Sequence, residues 1–189
     1  MKNLKGTRTE ANLETAFTGE SKAYTSYIRF ATRAKEEGHD TIAHYFETTA
    51  VNEQEHAKIW LRFLGGTMQD KEANLYADQV KVGSSKDNLQ TAINGESYEN
   101  SKMYPSFANA AREEGFDVIA KLFDQVSEIE KSHEDYFKGL LEKLSSAKVT
   151  PRAAQNRWKC NKCGFIPNVK NAPEICPVCG GSTFQQFLF

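Results

Sequence analysis

Apolar side chains along residues 8–145 recur every three or four positions, the repeat of helices with one buried face. Leu13, Phe17, Tyr24, Tyr27 and Ala31 form a first stripe, and Phe46, Ala50, Trp60 and Leu64 a second. Leu89, Ile93, Met103 and Phe107 form a third, and Ile119, Phe123, Val126, Phe137 and Leu140 a fourth. Gly38 follows Lys35-Glu36-Glu37 and Gly115 follows Arg112-Glu113-Glu114, each where a helix-ending glycine belongs. The pattern predicts helices near 8–37, 39–65, 86–114 and 116–145.

The two halves of this segment repeat each other. Asn12-Leu13 and Gly19-Glu20-Ser21 recur 76 residues on as Asn88-Leu89 and Gly95-Glu96-Ser97. From Tyr27 the offset is 77: Tyr104, Glu113-Glu114-Gly115, Glu130 and His133 echo Tyr27, Glu36-Glu37-Gly38, Glu53 and His56. Tight connections at 38 and 115 make each half a helical hairpin. The link from about Gly66 to Ser85 can run the length of a bundle, so the segment predicts a four-helix bundle with one long crossover. The extra residue between Glu96 and Tyr104 is most simply absorbed as a π-bulge, with a proline kink at Pro105 or a shifted helix start as the alternative.

Most carboxylates on these helices, among them Glu36, Glu37, Glu55, Glu128 and Glu134, read as solvated charge. Five do not. Glu20 lies between Phe17 and Tyr24, Glu53 between Ala50 and Trp60, and Glu130 between Val126 and Phe137. Glu96 continues the stripe of Leu89 and Ile93, and Glu99 follows three residues later. Burying an unpaired carboxylate costs several kcal/mol or forces protonation, so five in one core require cations. Glu53-x-x-His56 and Glu130-x-x-His133 each place a carboxylate and an imidazole one turn apart on one face. One Glu from each of two helices and one Glu-x-x-His from each of the others is the ligand arrangement of di-iron carboxylate bundles. Glu99 has no counterpart in the first half, where Lys22 or Ala23 stands, so the site is asymmetric. Two ferrous ions, or two ferric ions with a bridging oxide, each bring four positive charges to the five carboxylates. The site can therefore give up two electrons with little change in buried charge. His39 and His44 fit no ligand pattern.

Composition divides the chain. All four Cys, at 160, 163, 176 and 179, and four of the five Pro lie at or after Pro151. Cys160-x-x-Cys163-Gly and Cys176-x-x-Cys179-Gly are two metal knuckles and predict a four-thiolate site, iron or zinc by geometry alone. Residues 157–189 are too few for a self-sufficient core, so metal must drive much of their folding. The predicted division is 1–146 bundle, 147–156 linker and 157–189 Cys domain; the linker, taken as Ser146–Asn156, reaches at most ~36 Å. A net charge of −1 offers no footprint for nucleic acid or an anionic membrane. No apolar run approaches the ~20 residues of a membrane span, and Met1–Leu13 lacks the apolar core of an export signal, so a cytoplasmic protein without disulfides is expected.

The chain resembles the rubrerythrin family over nearly its whole length. The resemblance rests on Gly-Glu-Ser at 19–21, Glu53-Gln-Glu-His56-Ala-Lys, Gly-Glu-Ser-Tyr-Glu at 95–99, Met103-Tyr104-Pro105-Ser-Phe107 and Glu130-Lys-Ser-His133-Glu. Trp158-Lys-Cys160-Asn-Lys-Cys163-Gly-Phe and Cys176-Pro-Val-Cys179 resemble that family's rubredoxin-like domain. What the resemblance implies is a mainly α, ferritin-like bundle followed by a small rubredoxin-like domain. The implied activity is a hydrogen peroxide reductase of oxidative-stress defence. Its cofactors would be two non-haem irons, bridged by oxide and carboxylate, and one Fe(Cys)4, with zinc substitution possible. By the family pattern Glu53 and Glu130 bridge the irons, Glu20 binds the first, and Glu96 and His133 bind the second. The first iron exchanges His56 for Glu99 on oxidation, and Tyr27 and Tyr104 hydrogen-bond around the cluster. No Gly-x-Gly-x-x-Gly occurs, so an external reductase or rubredoxin-type donor is expected. A head-to-tail homodimer or higher homo-oligomer is expected too. The alternatives are a ferritin-like ferroxidase that handles iron, and an interaction protein with a zinc ribbon.

Overall fold

A computed structural model describes residues 3–65, 80–146 and 156–188. Its elements are α1 (Arg8–Glu36), α2 (Asp40–Phe63), α3 (Ser85–Tyr98), a π-helical turn (Glu99–Met103), α4 (Tyr104–Glu113), α5 (Asp117–Ser145), β1 (Asn156–Cys160) and β2 (Phe184–Leu188). The third expected helix is thus α3 and α4 joined through the π turn, at the place where the repeat gains its residue. Pro105 falls in the first turn of α4, where the π turn leaves its missing N–H without a required partner. The residues 66–79 of the expected crossover, and 147–155 of the linker, lie outside the described residues.

Local chemistry sets the helix ends. The Thr7 hydroxyl accepts from the Glu10 N–H to begin α1, and Ser84 and Asp87 form a reciprocal capping box at α3. Gly38 and Gly115 adopt φ of 76° and 73°, the left-handed turn that ends a helix cheaply only at glycine. The acid before each of these glycines also works across the repeat. Glu37 accepts from the Ser85 N–H at 2.9 Å, and Glu114 accepts from the Thr9 N–H and hydroxyl at 2.8 and 2.6 Å. Each half therefore caps the first helix of the other. Glu37 is exposed, as expected, yet it serves as a cap rather than as idle surface charge.

α1 packs on α2, and α3 and α4 pack on α5. The bundle interior has two apolar clusters. One gathers Trp60, Tyr104, Phe123 and Ile129; the other gathers Tyr27, Phe30, Phe46 and Phe137. Charged side chains occupy the layer between them. β1 and β2 pair antiparallel, Trp158 opposite Gln186 and Cys160 opposite Phe184. Among the described residues no helix is long and apolar enough to cross a membrane.

Candidate metal centre

Four helices send seven functional side chains inward. Glu20 comes from α1, Glu53 and His56 from α2, Glu96 from α3, Glu99 from the π turn, and Glu130 and His133 from α5. Apart from Glu99, which is partly buried, none is more than 1% exposed. Two overlapping groups result. Glu20, Glu53, His56 and Glu130 bring one ligand atom each within 4.8 Å of one another, and so do Glu53, Glu96, Glu130 and His133.

The two shared carboxylates divide their oxygens between the groups. Glu53 sets Oε2 at 2.9 Å from His56 Nδ1 and Oε1 at 3.2 Å from His133 Nδ1. Glu130 sets Oε1 at 3.0 Å from His56 Nδ1 and Oε2 at 2.8 Å from His133 Nδ1. Glu20 and Glu96 each reach a single imidazole, His56 and His133 respectively, at 3.6 Å. Two carboxylates thus face both imidazoles and two face one each. The tyrosines cross the repeat as the capping acids do. Tyr27 donates to Glu96 Oε1 at 2.6 Å; Tyr104 donates to Glu20 Oε1 and accepts from Trp60 Nε1.

Whether cations fit is decided by what these atoms lack. Glu20 Oε2, Glu53 Oε1, Glu96 Oε2, both Glu130 oxygens and His133 Nδ1 are buried without a hydrogen-bond partner, and all face the shared interior. Such a group is costly unless cations or protons satisfy it. Without metal, protons do so. Burial, then the nearby Glu130, push the Glu20 carboxyl well above the usual range. Burial and Glu53 push Glu96 up to about 8. Burial and the other carboxylates push Glu99 well up. Burial would lower both imidazoles, but Glu130 and Glu20 hold His56 protonated, and Glu53 and Glu96 hold His133 so. Glu53, despite burial, is drawn below its ordinary value by these two cations. Oxygen and imidazole donors at this density suit iron or another first-row divalent ion.

Glu99 belongs to neither four-residue group. Its Oε1 lies 3.7 Å from where a β-carbon on Gly19 would stand, beside the turn that carries Glu20. The π turn that places it is held from α5: Ser127 Oγ donates to the Asn100 carbonyl, and Asn100 Nδ2 donates to Glu134 Oε2 at 2.9 Å. Glu134 therefore departs from the expectation of a solvated carboxylate. It is 4% exposed, and although burial opposes it, Lys138, Asn100 and Lys131 draw its carboxyl down to about 2. His39 heads α2 and His44 is exposed, so neither joins the site.

The four cysteines form a separate buried group. Cys160 and Cys179 sulfurs are 3.7 Å apart, and Cys163 and Cys176 sulfurs 3.6 Å. A tetrahedron with metal–sulfur bonds of about 2.3 Å has edges of ~3.8 Å, so the cradle fits one such ion. Within this chain the first knuckle lies directly on the carboxylate site. His56 Nε2 meets the Cys163 carbonyl at 2.9 Å, and Asn52 Nδ2 donates to the Lys162 carbonyl at 2.7 Å. Lys159 is buried beside them, its ammonium 5.5 Å from the centre of the Tyr45 ring.

Sequence reasoning passed over Asn52, Asn100 and Lys159 and read Glu134 as solvated charge. For two of them the repeat held a weak signal: Asn52 aligns with Ile129 and Glu134 with Ala57, polar against apolar, as Thr49 with Val126 and Ala50 with Ser127 also are.

The family model described as Rubrerythrin matches residues 11–141, and that described as Rubrerythrin, rubredoxin-like domain matches residues 158–183. The chain is 41% identical over 178 residues to the rubrerythrin of Porphyromonas gingivalis, spanning 94% of this chain and 88% of that one. It is 39% identical over 179 residues to the rubrerythrin of Nitratidesulfovibrio vulgaris, spanning 95% and 93%. A solved structure of nigerythrin in a mixed-valent state superposes with a TM-score of 0.69 at 29% identity, covering 98% of this chain and 89% of that one. A second nigerythrin structure, fully reduced and all ferrous, gives 0.68 at 28% identity and covers 97% and 91%. With both family models matched in order along one mainly helical chain, and with a buried carboxylate–imidazole group and a four-cysteine group that could each hold metal, the chain belongs to the rubrerythrin family.

Proposed function

We propose that this oxidoreductase is a di-iron peroxidase that reduces hydrogen peroxide to water with electrons relayed through an Fe(Cys)4 centre, as a cytoplasmic defence against oxidative stress. The observation that carries this reading is the 2.9 Å contact between His56 Nε2 and the Cys163 carbonyl. It joins a ligand of the four-cysteine site to a ligand of the carboxylate site through one hydrogen bond. A ferritin-like ferroxidase has no use for such a link.

In this reading Glu20, Glu53, His56 and Glu130 would hold the first iron and Glu53, Glu96, Glu130 and His133 the second, with Glu53 and Glu130 shared by both. Two ferrous ions bound there would supply two electrons and Lewis acidity, the chemistry by which H2O2, two electrons and two protons become two waters. The residues do the rest. Glu53 and Glu130, each facing one oxygen to His56 and the other to His133, would set the separation of the two ions. Tyr27 and Tyr104, whose phenols burial and the adjacent carboxylates hold well above their ordinary range, stay neutral donors and orient Glu96 and Glu20. Glu99, outside both groups but beside Glu20, would be the carboxylate placed to replace His56 as a ligand of the first iron on its oxidation. An external reductase or a rubredoxin-type protein supplies the Cys site, in a head-to-tail homodimer or higher homo-oligomer.

The test is rapid mixing of the fully reduced protein with hydrogen peroxide and, separately, with dioxygen, following the absorbance of both iron centres. Fast oxidation of the carboxylate-site iron by peroxide, then slower oxidation of the Cys centre, is expected. Faster reaction with dioxygen than with peroxide, or a Cys centre that stays reduced, refutes the assignment.

A further inference from the structure

Two hydrogen bonds tie the first Cys knuckle to the carboxylate site, and they reach different imidazoles. His56 is met directly, through the Cys163 carbonyl. His133 is met through Asn52, whose Oδ1 lies 3.3 Å from His133 Nε2 while its Nδ2 donates to the Lys162 carbonyl at 2.7 Å. Asn52 is fully buried on α2, one residue before Glu53.

The chemistry of these partners leaves one arrangement. A main-chain carbonyl only accepts, so the Asn52 atom facing Lys162 must be the NH2 group. The atom facing His133 is then the amide oxygen, which also only accepts, and the proton of that contact must sit on His133 Nε2. By the same logic the Cys163 carbonyl requires the proton of His56 on Nε2. Both imidazoles therefore turn Nδ1 toward the carboxylates, free to bind metal, because the knuckle holds the other nitrogen as a donor. Such outer partners orient a ligating imidazole and raise its affinity for metal. Gly164 allows the approach: a β-carbon there would stand 2.8 Å from Asn52 Oδ1 and 3.1 Å from His133 Nε2.

We propose that Asn52 is a positioning residue that couples the two metal sites, so that filling the four-cysteine site, which folds and docks the knuckle, tightens metal binding by the carboxylate site. The coupling must also run in reverse, because binding free energies are reciprocal. The inference rests on the carboxylate group being a metal site, as proposed above. It adds a dependence of one site on the other that neither donor set implies alone.

The test is a cobalt(II) titration of the full chain, read from the visible bands of the carboxylate site against a competing chelator. One sample carries one equivalent of zinc on the four cysteines; the other is the Cys176→Ser/Cys179→Ser chain, whose knuckle cannot close. The expected ratio of the two affinities is tenfold or more, within the 10–100-fold range of lost outer partners. The titration is repeated with Asn52→Leu and with Asn52→Asp in both backgrounds. Asp keeps the size of the amide but turns an acceptor on the Lys162 carbonyl, so it breaks the bridge even if Leu disturbs folding. In each the ratio should fall severalfold, leaving the part carried by His56. Asn52→Gln, which keeps both amide functions, should recover part of it. Taking the ratio within each variant cancels any general weakening of the bundle. A wild-type ratio near one, or an unchanged ratio in both Leu and Asp variants, overturns the coupling. No cobalt at the carboxylate site of the wild-type chain would instead sink the metal-site reading on which it rests.

Discussion

Stripping the carboxylate site of metal while zinc stays on the four cysteines should reverse the way the bundle responds to pH. In the metal-free protein Glu96 is held up to about 8 by burial and by Glu53, against an ordinary 4.5. The unfolded chain ionises this carboxyl from about pH 4.5 while the folded chain keeps its proton, so folding loses stability as pH rises through that window. At 1.36 kcal/mol per unit, Glu96 alone removes about 4 kcal/mol between pH 5 and pH 8. Glu20 and Glu99, raised by the same burial, act with the same sign. His56 and His133 are raised cations, and their contribution is complete below about pH 6.5 and is lost as pH climbs through their folded values. Glu53 is depressed, so it contributes above about pH 4.5 and opposes only on the acid side. The sum is a stability maximum near pH 4–5, where the unfolded carboxyls begin to ionise, and a decline from there toward pH 8. With metal bound the sign inverts, because the ions compete with protons for the same oxygens and nitrogens and bind more tightly as pH rises. Urea unfolding followed by helical circular dichroism at pH 5, 6, 7 and 8 checks this, with and without metal in the carboxylate site. A metal-free bundle as stable at pH 8 as at pH 5 would refute the reasoning, because the buried carboxyls would then not be storing protons in place of metal.

Three further outcomes follow from particular contacts. Glu99→Ala should leave two metals bound, since neither four-residue group uses Glu99, yet should change the spectrum of the oxidised site and slow its reduction; identical oxidised spectra would end the ligand-exchange idea. Glu134→Gln should cost about 1–2 kcal/mol at pH 7, because the Lys138 contact at 2.5 Å loses its charge. The carboxyl is depressed to about 2, so its contribution exists above about pH 4.5 and vanishes toward pH 2; denaturation curves of the two proteins should converge there. Gly164→Ala forces a side chain into φ of 77° and against Asn52 and His133, so it should destabilise the Cys unit by at least ~1 kcal/mol and raise the rate at which limited proteolysis cuts that unit even with the Cys site filled.

The bundle, the donor side chains that meet in it and its irregularity were legible in sequence for physical reasons that act locally or by repetition. A buried face returns every 3.6 residues, a carboxylate on that face is anomalous wherever it occurs, and a duplicated Glu-x-x-His doubles the signal. The one-residue change of offset located the π turn because an inserted residue must go somewhere in a helix. Four thiolates in two knuckles announced their own ion.

What the tertiary structure alone decided is which groups meet across helices and across the two parts of the chain. Both Glu134 and Glu128 read as surface charge on α5; the arrival of Asn100 from the π turn, added to Lys138 one turn along the helix, makes Glu134 a buried anchor while Glu128 stays exposed. The division of Glu53 and Glu130 oxygens between two imidazoles is a matter of ångströms set by how α2 and α5 are placed. The seating of Lys162 and Cys163 on Asn52 and His56 joins residues more than a hundred positions apart, a contact that no local pattern encodes. Sequence periodicity determined the donors and the fold that carries them. Packing determined that the two donor sets share one interface, because hydrogen bonds between distant segments exist only once the chain has folded.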